Sequence, residues 1–586
     1  MSRRVLMWAA IGLLAVAPVV LSDFYVTLLN YIGLASIVTL GLVLLTGVGG
    51  LTSFGQAAFV GIAAYTTAVL TTRYGVSPWL SLPAALLLTL PIALFLGFIT
   101  LRLSGHYLPL GTIAWGIAIY FLFGNLEMLG KYSGIAEIPR LSLFGWSLGD
   151  GRHMYYPIWA ITLVALVAVD NLLDSRTGRA IRSIKGRTKM AESFGVDTNR
   201  LKIILFVYAA LLAALSGWLY ALFLRYVNPT PFSLNAGIEY LFMAVIGGST
   251  EVWGAIIGAA LLTMLKEWLK DILPSLISQS GNYEIVVFGL LTILLLHRTS
   301  DGLVPFFAAL LPAEKPTLPR ATAPALPARI QPARGEPLLD IRDATKRFGA
   351  LAAVSGLSFE MRAGEVLGLI GPNGAGKSTV FDLMTGILPA NEGEIRFRGE
   401  RIDRLPAREI ARRGIARTFQ HVNIIPSMMV LENAAIGAHL RGSAGVWSAS
   451  LRLDRTEEGR LQYEAAQRLD WVGLGSQLFE PAGALPLGSQ RLIEVARALC
   501  ADPVLLLLDE PAAGLRYMEK QALADLVRRL RQGGVSVLLV EHDMEFVMGL
   551  VDRIVVMNFG EKLAEGSPPE IQNNPAVIEA YLGSVV

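Results

Sequence analysis

A chain of 586 residues has room for several domains, and a mean hydropathy of +0.52 excludes an ordinary soluble protein. Residues 1–336 carry 23 Lys+Arg against 16 Asp+Glu, and residues 337–586 carry 27 against 31, so the overall +3 is a basic excess of the apolar part and excludes nucleic acid as the expected partner. Cys500 is the single cysteine, which excludes an internal disulfide and suits a reducing compartment for the second half.

In chain order, Arg3 and Arg4 precede an apolar stretch to Leu21. No small-x-small cleavage site follows it and a second apolar run begins at Phe24, so the stretch reads as a first membrane helix rather than a signal peptide. Crossing a bilayer takes about 20 apolar residues. Segments of that kind fall at 5–21, 25–46, 51–72, 79–101, 107–126, 156–173, 203–224, a Gly-broken stretch 238–265, and 284–297.

Loop 127–155 carries three charges of each sign. Segment 174–202 carries Arg176, Arg179, Arg182, Lys185, Arg187, Lys189, Arg200 and Lys202 against Asp174, Glu192 and Asp197, which places it on the cytosolic side. The charged domain after 337 is expected to share that side, so the number of crossings must be even. Breaking 238–265 at Gly247-Gly248 gives about ten crossings, and helices break readily at such a pair. Within the spans, Gln56 and Tyr65 are candidates for lining a solute path, because polar groups are expensive in a membrane. Their small neighbours Gly55, Ala57, Ala58, Gly61, Ala63 and Ala64 suit close helix packing.

Residues 312–336, PAEKPTLPRATAPALPARIQPARGE, hold prolines at 312, 316, 319, 324, 327 and 332. Such a segment builds neither a core nor a regular helix, and it reads as a semi-extended tether. The expected domains are therefore a multi-span membrane domain at 1–311, a linker at 312–336 and a globular domain at 337–586.

In the last domain VLGLIG (366–371), VLLLLDEP (504–511) and VSVLLVEHD (535–543) read as buried strands of a parallel sheet. GPNGAGKST (371–379) follows the first of them: Gly371, Pro372, Asn373, Gly374, Ala375, Gly376, Lys377, Ser378 and Thr379. The glycines let backbone N–H groups curl around phosphates, Lys377 reaches the β- and γ-phosphates, and Ser378 can ligate Mg²⁺. Asp509 at a strand tip can hold the Mg²⁺ shell while Glu510 polarises water. His542, at the next strand tip, can reach the γ-phosphate.

Together these motifs make residues 337–586 resemble an ATP-binding-cassette (ABC) ATPase throughout. The resemblance implies an α/β P-loop fold with a helical subdomain, and ATP and Mg²⁺ as cofactors. It implies that Phe348 stacks on adenine, that Gln420 in RTFQ senses the metal, that Glu510 is the catalytic base and that His542 is the switch histidine. EPAAGL (510–515), VEHDMEFVMGLVDRI (540–554) and NPAVIEAYLG (574–583) resemble the motors of branched-chain amino acid importers. In the first half SFGQAAFVGIAAYT (53–66), GRAIRSIKGRTKMAESFGVDTNRLK (178–202), LSGWLYA (215–221) and MAVIGGSTEVWGAIIGA (243–259) resemble the membrane subunits of the same importers, and the basic stretch 178–202 suits a coupling helix.

The signature that usually reads Leu-Ser-Gly-Gly-Gln is here Leu485-Pro486-Leu487-Gly488-Ser489, and Pro486 has neither hydroxyl nor N–H to offer a nucleotide. Ser249-Thr250-Glu251 stands where the family usually has a further glycine, and Arg516 where a small polar residue is usual.

The resemblance implies a fused half-importer in a bacterial inner membrane, with its ATPase in the cytosol. Branched-chain or hydrophobic amino acids are the expected solutes, with urea or amides and aromatic acids as alternatives. One P-loop and one permease per chain call for a second permease and ATPase, which the resemblance makes non-identical subunits, a homodimer being the less favoured arrangement, and the family adds an extracytoplasmic solute-binding protein. A fused exporter fits less well, because exporter helices run far into the cytosol whereas these spans are membrane length. A membrane-tethered ATPase that moves nothing would not need so long a polytopic domain.

Overall fold

The structure, a computed structural model, describes residues 3–103, 107–143, 146–276, 289–290, 293–294, 297–298, 302–308 and 325–582. The chain divides into two compact units, one formed by Met1–Leu173 with Asn199–Ala313, the other by Asp174–Thr198 with Glu314–Val586.

The apolar runs of the first half fold as helices: α1 (Arg3–Val20), α2 (Asp23–Leu42), α3 (Gln56–Thr72), α4 (Pro78–Thr100), α5 (Tyr107–Asn125), α6 (Gly151–Leu173), then, past α7 (Arg176–Ser193), α8 (Thr198–Leu224), α9 (Leu234–Gly248) and α10 (Val252–Leu276). Among the described residues, six helices are long and apolar enough to cross a membrane: Asp23–Val48, Pro78–Thr100, Tyr107–Asn125, Gly151–Leu173, Thr198–Leu224 and Val252–Lys270. The expected span at 284–297 lies largely outside the described residues.

Two elements differ from a plain reading of hydropathy. The run 51–72 becomes helical only at Gln56, so α3 has 17 residues and a length of about 26 Å. Before it the chain is irregular, and Phe54 N–H donates to Thr112 Oγ1 at 3.1 Å, which satisfies a backbone group in apolar surroundings. The stretch 238–265 breaks as expected, with Gly248 at φ +121° ending α9 and Glu251 N–H returning to Gly248 O at 3.0 Å. A Cβ on Gly247 would lie 1.8 Å from Gly254 O, so the two half-helices meet backbone to backbone and only glycine fits.

In the other unit, β1 (Pro337–Phe348), β2 (Leu351–Arg362) and β4 (Glu392–Phe397) form an antiparallel sheet in the order β2-β1-β4, which the two-residue strand Glu400–Arg401 extends beside β4. A second sheet runs β9-β8-β3-β7-β6-β5, where β3 is Val366–Ile370, β5 Ile415–Arg417, β6 Leu505–Asp509, β7 Ser536–Val540, β8 Arg553–Asn558 and β9 Glu561–Gly566. Every residue of β3, β6 and β7 is buried, as parallel strands covered on both faces require. Helices α12 (Val430–Ala435), α13 (Arg455–Trp471) and α14 (Leu487–Cys500) build a helical subdomain around an apolar cluster that includes Leu461, Leu469, Ile493 and Cys500. The P-loop helix α11 (Lys377–Met384) precedes them.

The compact units cut the chain differently from the linear domains: segment 174–198, between two membrane helices in sequence, belongs to the ATPase unit. Part of the proline-rich segment is also fixed to that unit. The Arg329 guanidinium donates to Asp502 O at 3.1 Å and Arg412 O at 2.6 Å, and Gln331 Nε2 donates to Pro503 O at 3.2 Å. The tether reading of 312–324 lies outside the described residues.

Candidate nucleotide site

Parallel strands present their C-terminal ends as the natural place for a ligand, and here β3, β6 and β7 deliver the P-loop, Asp509-Glu510 and His542 to one edge. The loop 371–376 leads into α11, whose N-terminal N–H groups suit an anion. Gly376 has φ +98°, and a Cβ there would sit 2.2 Å from Ala353 O on β2, so the loop closes tightly against that strand. Asn373, Gly374 and Ser378 are exposed, Pro372 and Thr379 are half-buried, and Gly371, Ala375 and Lys377 are buried.

Lys377 Nζ donates to Gly371 O at 2.7 Å and Pro372 O at 3.0 Å. Burial holds its pKa below the usual lysine value, with the charges of Glu510 and Asp509 acting in the opposite direction. Phe348 ends β1 opposite Leu351 at the turn into β2, the strand that backs the P-loop, and its ring is half-exposed.

Glu510 is the centre of the arrangement. Gln420 Nε2 donates to its Oε1 at 3.0 Å, and His542 Nε2 lies 2.9 Å from the same oxygen. Both contacts use one oxygen, which leaves Oε2 to act on a reactant. The backbone at Glu510 has φ +48°, a left-handed conformation for a non-glycine residue. Its N–H donates to Val540 O at 2.8 Å and its carbonyl accepts from Arg491 Nη1 at 2.9 Å.

Next to it, Asp509 is buried and burial pushes its pKa up to about 6, against the pull of the Arg417 guanidinium. Asp509 Oδ2 lies 3.8 Å from Arg417 Nη2, while Oδ1 is buried with no hydrogen-bond partner among the described residues. A carboxylate oxygen left in that state fits one that accepts from the water shell of a divalent cation.

Sequence reasoning missed the supports of this cluster. Glu541 accepts from Ala512 N–H at 2.6 Å and from His542 N–H at 3.0 Å, so it fixes the backbone on both sides of the carboxylate. Thr418 Oγ1 accepts from Asp509 N–H at 3.1 Å. Arg491 and Glu494 lie two and five residues past the signature on α14. That they lie one turn apart on the helix that begins at the signature is the signal available in the sequence.

The signature forms the entry to α14: Pro486 is its N-cap, Leu485 is buried, Gly488 is buried where an added Cβ would lie 3.0 Å from Glu519 Oε2, and Ser489 is half-buried. Among the described residues no hydrogen bond joins these residues to 371–379 of the same chain. Gln420 and His542 are thus joined to Glu510 beside Asp509, while 485–489 make no hydrogen bond to 371–379 among the described residues.

The basic segment 174–198 is seated on the ATPase unit. Ser175 caps α7 by accepting from Gly178 N–H at 3.1 Å, and α7 kinks at Lys185–Arg187, where Gly186 has φ +76°. Arg179 Nη2 donates to Glu458 Oε2 at 3.0 Å in a pair whose side chains are 3% and 5% exposed. Arg182 pairs with Glu432 at 2.9 Å, Asp197 pairs with Arg408, and Phe194 packs in the cluster that holds Leu506 and Leu508 of β6.

In the membrane unit, Gln56 and Tyr65 are both buried, and neither the Gln56 amide nor the Tyr65 hydroxyl has a hydrogen-bond partner among the described residues. They do not converge. Nine residues apart on α3, they lie about 13 Å apart along the axis and about half a turn around it. Tyr65 packs on Phe123 and Phe232, with ring centroids 4.8 and 6.1 Å away.

Residues 24–296 match the family described as branched-chain amino acid transport system / permease component. Residues 354–513 match ABC transporter, and 561–586 match branched-chain amino acid ATP-binding cassette transporter. The chain is similar to the high-affinity branched-chain amino acid transport ATP-binding protein LivG of Salmonella typhimurium, at 43% identity over 251 residues, 42% of this chain and 98% of LivG. It is similar to BraF of Pseudomonas aeruginosa at 42% over 251 residues, again 42% of this chain and 98% of the relative. Among solved structures, a nucleotide-free ATP-binding cassette from an ABC transporter is 32% identical, covers 42% of this chain and 100% of its own, and gives a TM-score of 0.38. With a permease match in the first half and an ATP-binding cassette in the second, the chain belongs to the branched-chain amino acid ABC transporter family, as a permease fused to its ATPase.

Proposed function

We propose that this protein is half of an ATP-driven importer of branched-chain or other hydrophobic amino acids, set in a bacterial cytoplasmic membrane with its ATPase in the cytosol. It works with a second permease and ATPase and with an extracytoplasmic solute-binding protein. The observation that carries the reading is the double hold of Gln420 and His542 on one oxygen of Glu510.

In this reading residues 371–379 cradle the phosphates, Phe348 stacks on adenine, and Lys377 offsets phosphate charge. Ser378, Gln420 and Asp509 hold Mg²⁺; the Gln420 amide nitrogen is spent on Glu510, which leaves its oxygen for the metal. The metal supplies charge neutralisation at the β- and γ-phosphates. Glu510 Oε2 takes a proton from water as the water oxygen bonds to the γ-phosphorus and the bond to the bridging oxygen breaks, releasing ADP and phosphate. His542 and Gln420 keep the carboxylate aimed. Leu485, Gly488 and Ser489 serve the partner subunit's nucleotide, a reading supported by their making no hydrogen bond to the P-loop of their own chain among the described residues. Segment 174–198, ion-paired to α12 and α13, carries the movement between ATPase and permease. Gln56 and Tyr65 mark two separate points on α3 where the solute path is to be sought.

The test is uptake into lipid vesicles holding the full-length chain with its companion subunits and binding protein, using labelled leucine, urea and an aromatic acid in parallel. ATP-dependent accumulation of leucine is expected. Accumulation of urea or of the aromatic acid in its place would reassign the solute, and accumulation of none would end the importer reading.

A further inference from the structure

We propose that Arg491 is a positioning residue for ATP hydrolysis: by donating to the Glu510 carbonyl it holds the backbone that aims the Glu510 carboxylate at Gln420 and His542. The proposal rests on reading Glu510 as the group that activates water. A non-glycine residue in a left-handed conformation costs on the order of 1–3 kcal/mol and persists only where its surroundings fix it. At Glu510, with φ +48°, two backbone bonds do so: N–H to Val540 O at 2.8 Å, inside the sheet, and the carbonyl to Arg491 Nη1 at 2.9 Å. The second is made by a side chain from a different subdomain.

The same helix face holds the other side of the contact. Glu494, one turn on from Arg491, accepts from Asn423 N–H at 2.9 Å, three residues beyond Gln420. Arg497, one turn further and buried, donates to Asn423 O at 2.9 Å and Asn433 O at 3.0 Å. Thus both ends of the Gln420–Glu510 bond hang from α14, the helix that starts at Pro486-Leu487-Gly488. A shift of α14 changes the separation of Gln420 from Glu510, which ties the signature end of this helix to the carboxylate of its own chain.

The experiment uses the full-length chain purified from membranes with its companion subunits, and measures kcat and KM for ATP together with single-turnover hydrolysis. Arg491→Ala is expected to lower kcat about tenfold or more, as small displacements of a reacting group do, with KM nearly unchanged. Arg491→Lys, which keeps a donor, is expected to recover most of the rate. In a Glu510→Gln background, Arg491→Ala is expected to cause no further loss, because the two residues act as one unit. Should Arg491→Ala fail to assemble, Arg491→Met, which keeps the stem and lacks the donor, makes the same comparison. Wild-type kcat in the donor-less variant, a loss seen in KM instead, or a full multiplicative loss on top of Glu510→Gln would each overturn the positioning role. Wild-type turnover by Glu510→Gln on its own would instead remove the reading of Glu510, and is told apart by needing no change at Arg491.

Discussion

Glu510 in the ATPase unit and Gln56 in the membrane unit are polar side chains in confined surroundings, handled in opposite ways. Glu510 is held at its carboxylate by Gln420 and His542 and at its backbone by Val540 and Arg491. Gln56 is 1% exposed, and neither polar atom of its amide meets a hydrogen-bond partner among the described residues. A polar group fixed from several sides needs no reorganisation at the moment of reaction, whereas an unpaired buried amide costs free energy. The comparison teaches that the Glu510 carboxylate is held in place by groups of its own chain, while the Gln56 amide is buried without such a hold.

The sharpest way to break the comparison is Glu510→Gln. Turnover should fall by at least about 100-fold, the scale of a lost general base, with ATP binding retained; steady-state hydrolysis in the assembled transporter measures it. Next comes the ion pair that seats α7. Arg179→Ala leaves Glu458 buried without its guanidinium and should destabilise the ATPase unit by about 3–5 kcal/mol, read as a lowered melting temperature. Arg179→Met with Glu458→Leu should recover most of that loss, since an apolar pair of similar volume needs no charge compensation.

A smaller effect is expected at Glu494, whose pKa burial raises to about 7 against the pull of Arg497. Between the ordinary value of 4.5 and about 7 the folded unit keeps a proton that the unfolded chain has lost, so stability falls as pH rises through that window. Glu494→Gln keeps an acceptor for Asn423 N–H and should flatten this fall, which has a ceiling of roughly 3 kcal/mol. Melting temperatures at pH 5 and pH 8 for both proteins decide it. The smallest effect is Tyr65→Phe: deleting an orphan hydroxyl should leave stability unchanged or raise it by about 1 kcal/mol, and a clear loss would show that the hydroxyl has a partner.

How much was legible in the sequence follows the range of the interactions. The P-loop, Asp509, Glu510 and His542 were legible because each follows an apolar strand run directly, and parallel strands bring such ends together. The break at Gly247-Gly248 was legible because each glycine costs a helix about 1 kcal/mol relative to alanine. The start of α3 at Gln56 was not, since the irregular stretch Leu51–Gly55 satisfies its backbone with partners off a helix ladder, among them Thr112, 58 residues on from Phe54. The fixed half of the proline-rich segment was hidden for a related reason: Arg329 and Gln331 find partners at Asp502 and Pro503, more than 170 residues on. Gln56 and Tyr65 share a stretch but not a face, a point that their nine-residue spacing already contained.

The measurement that tests the central claim most directly is ATP hydrolysis and labelled-leucine accumulation followed together in the same vesicles, with the full-length chain, its companions and a binding protein. The account predicts that wild type does both and that Glu510→Gln stops both while ATP still binds. Vesicles that split ATP at the wild-type rate and accumulate no leucine would contradict it.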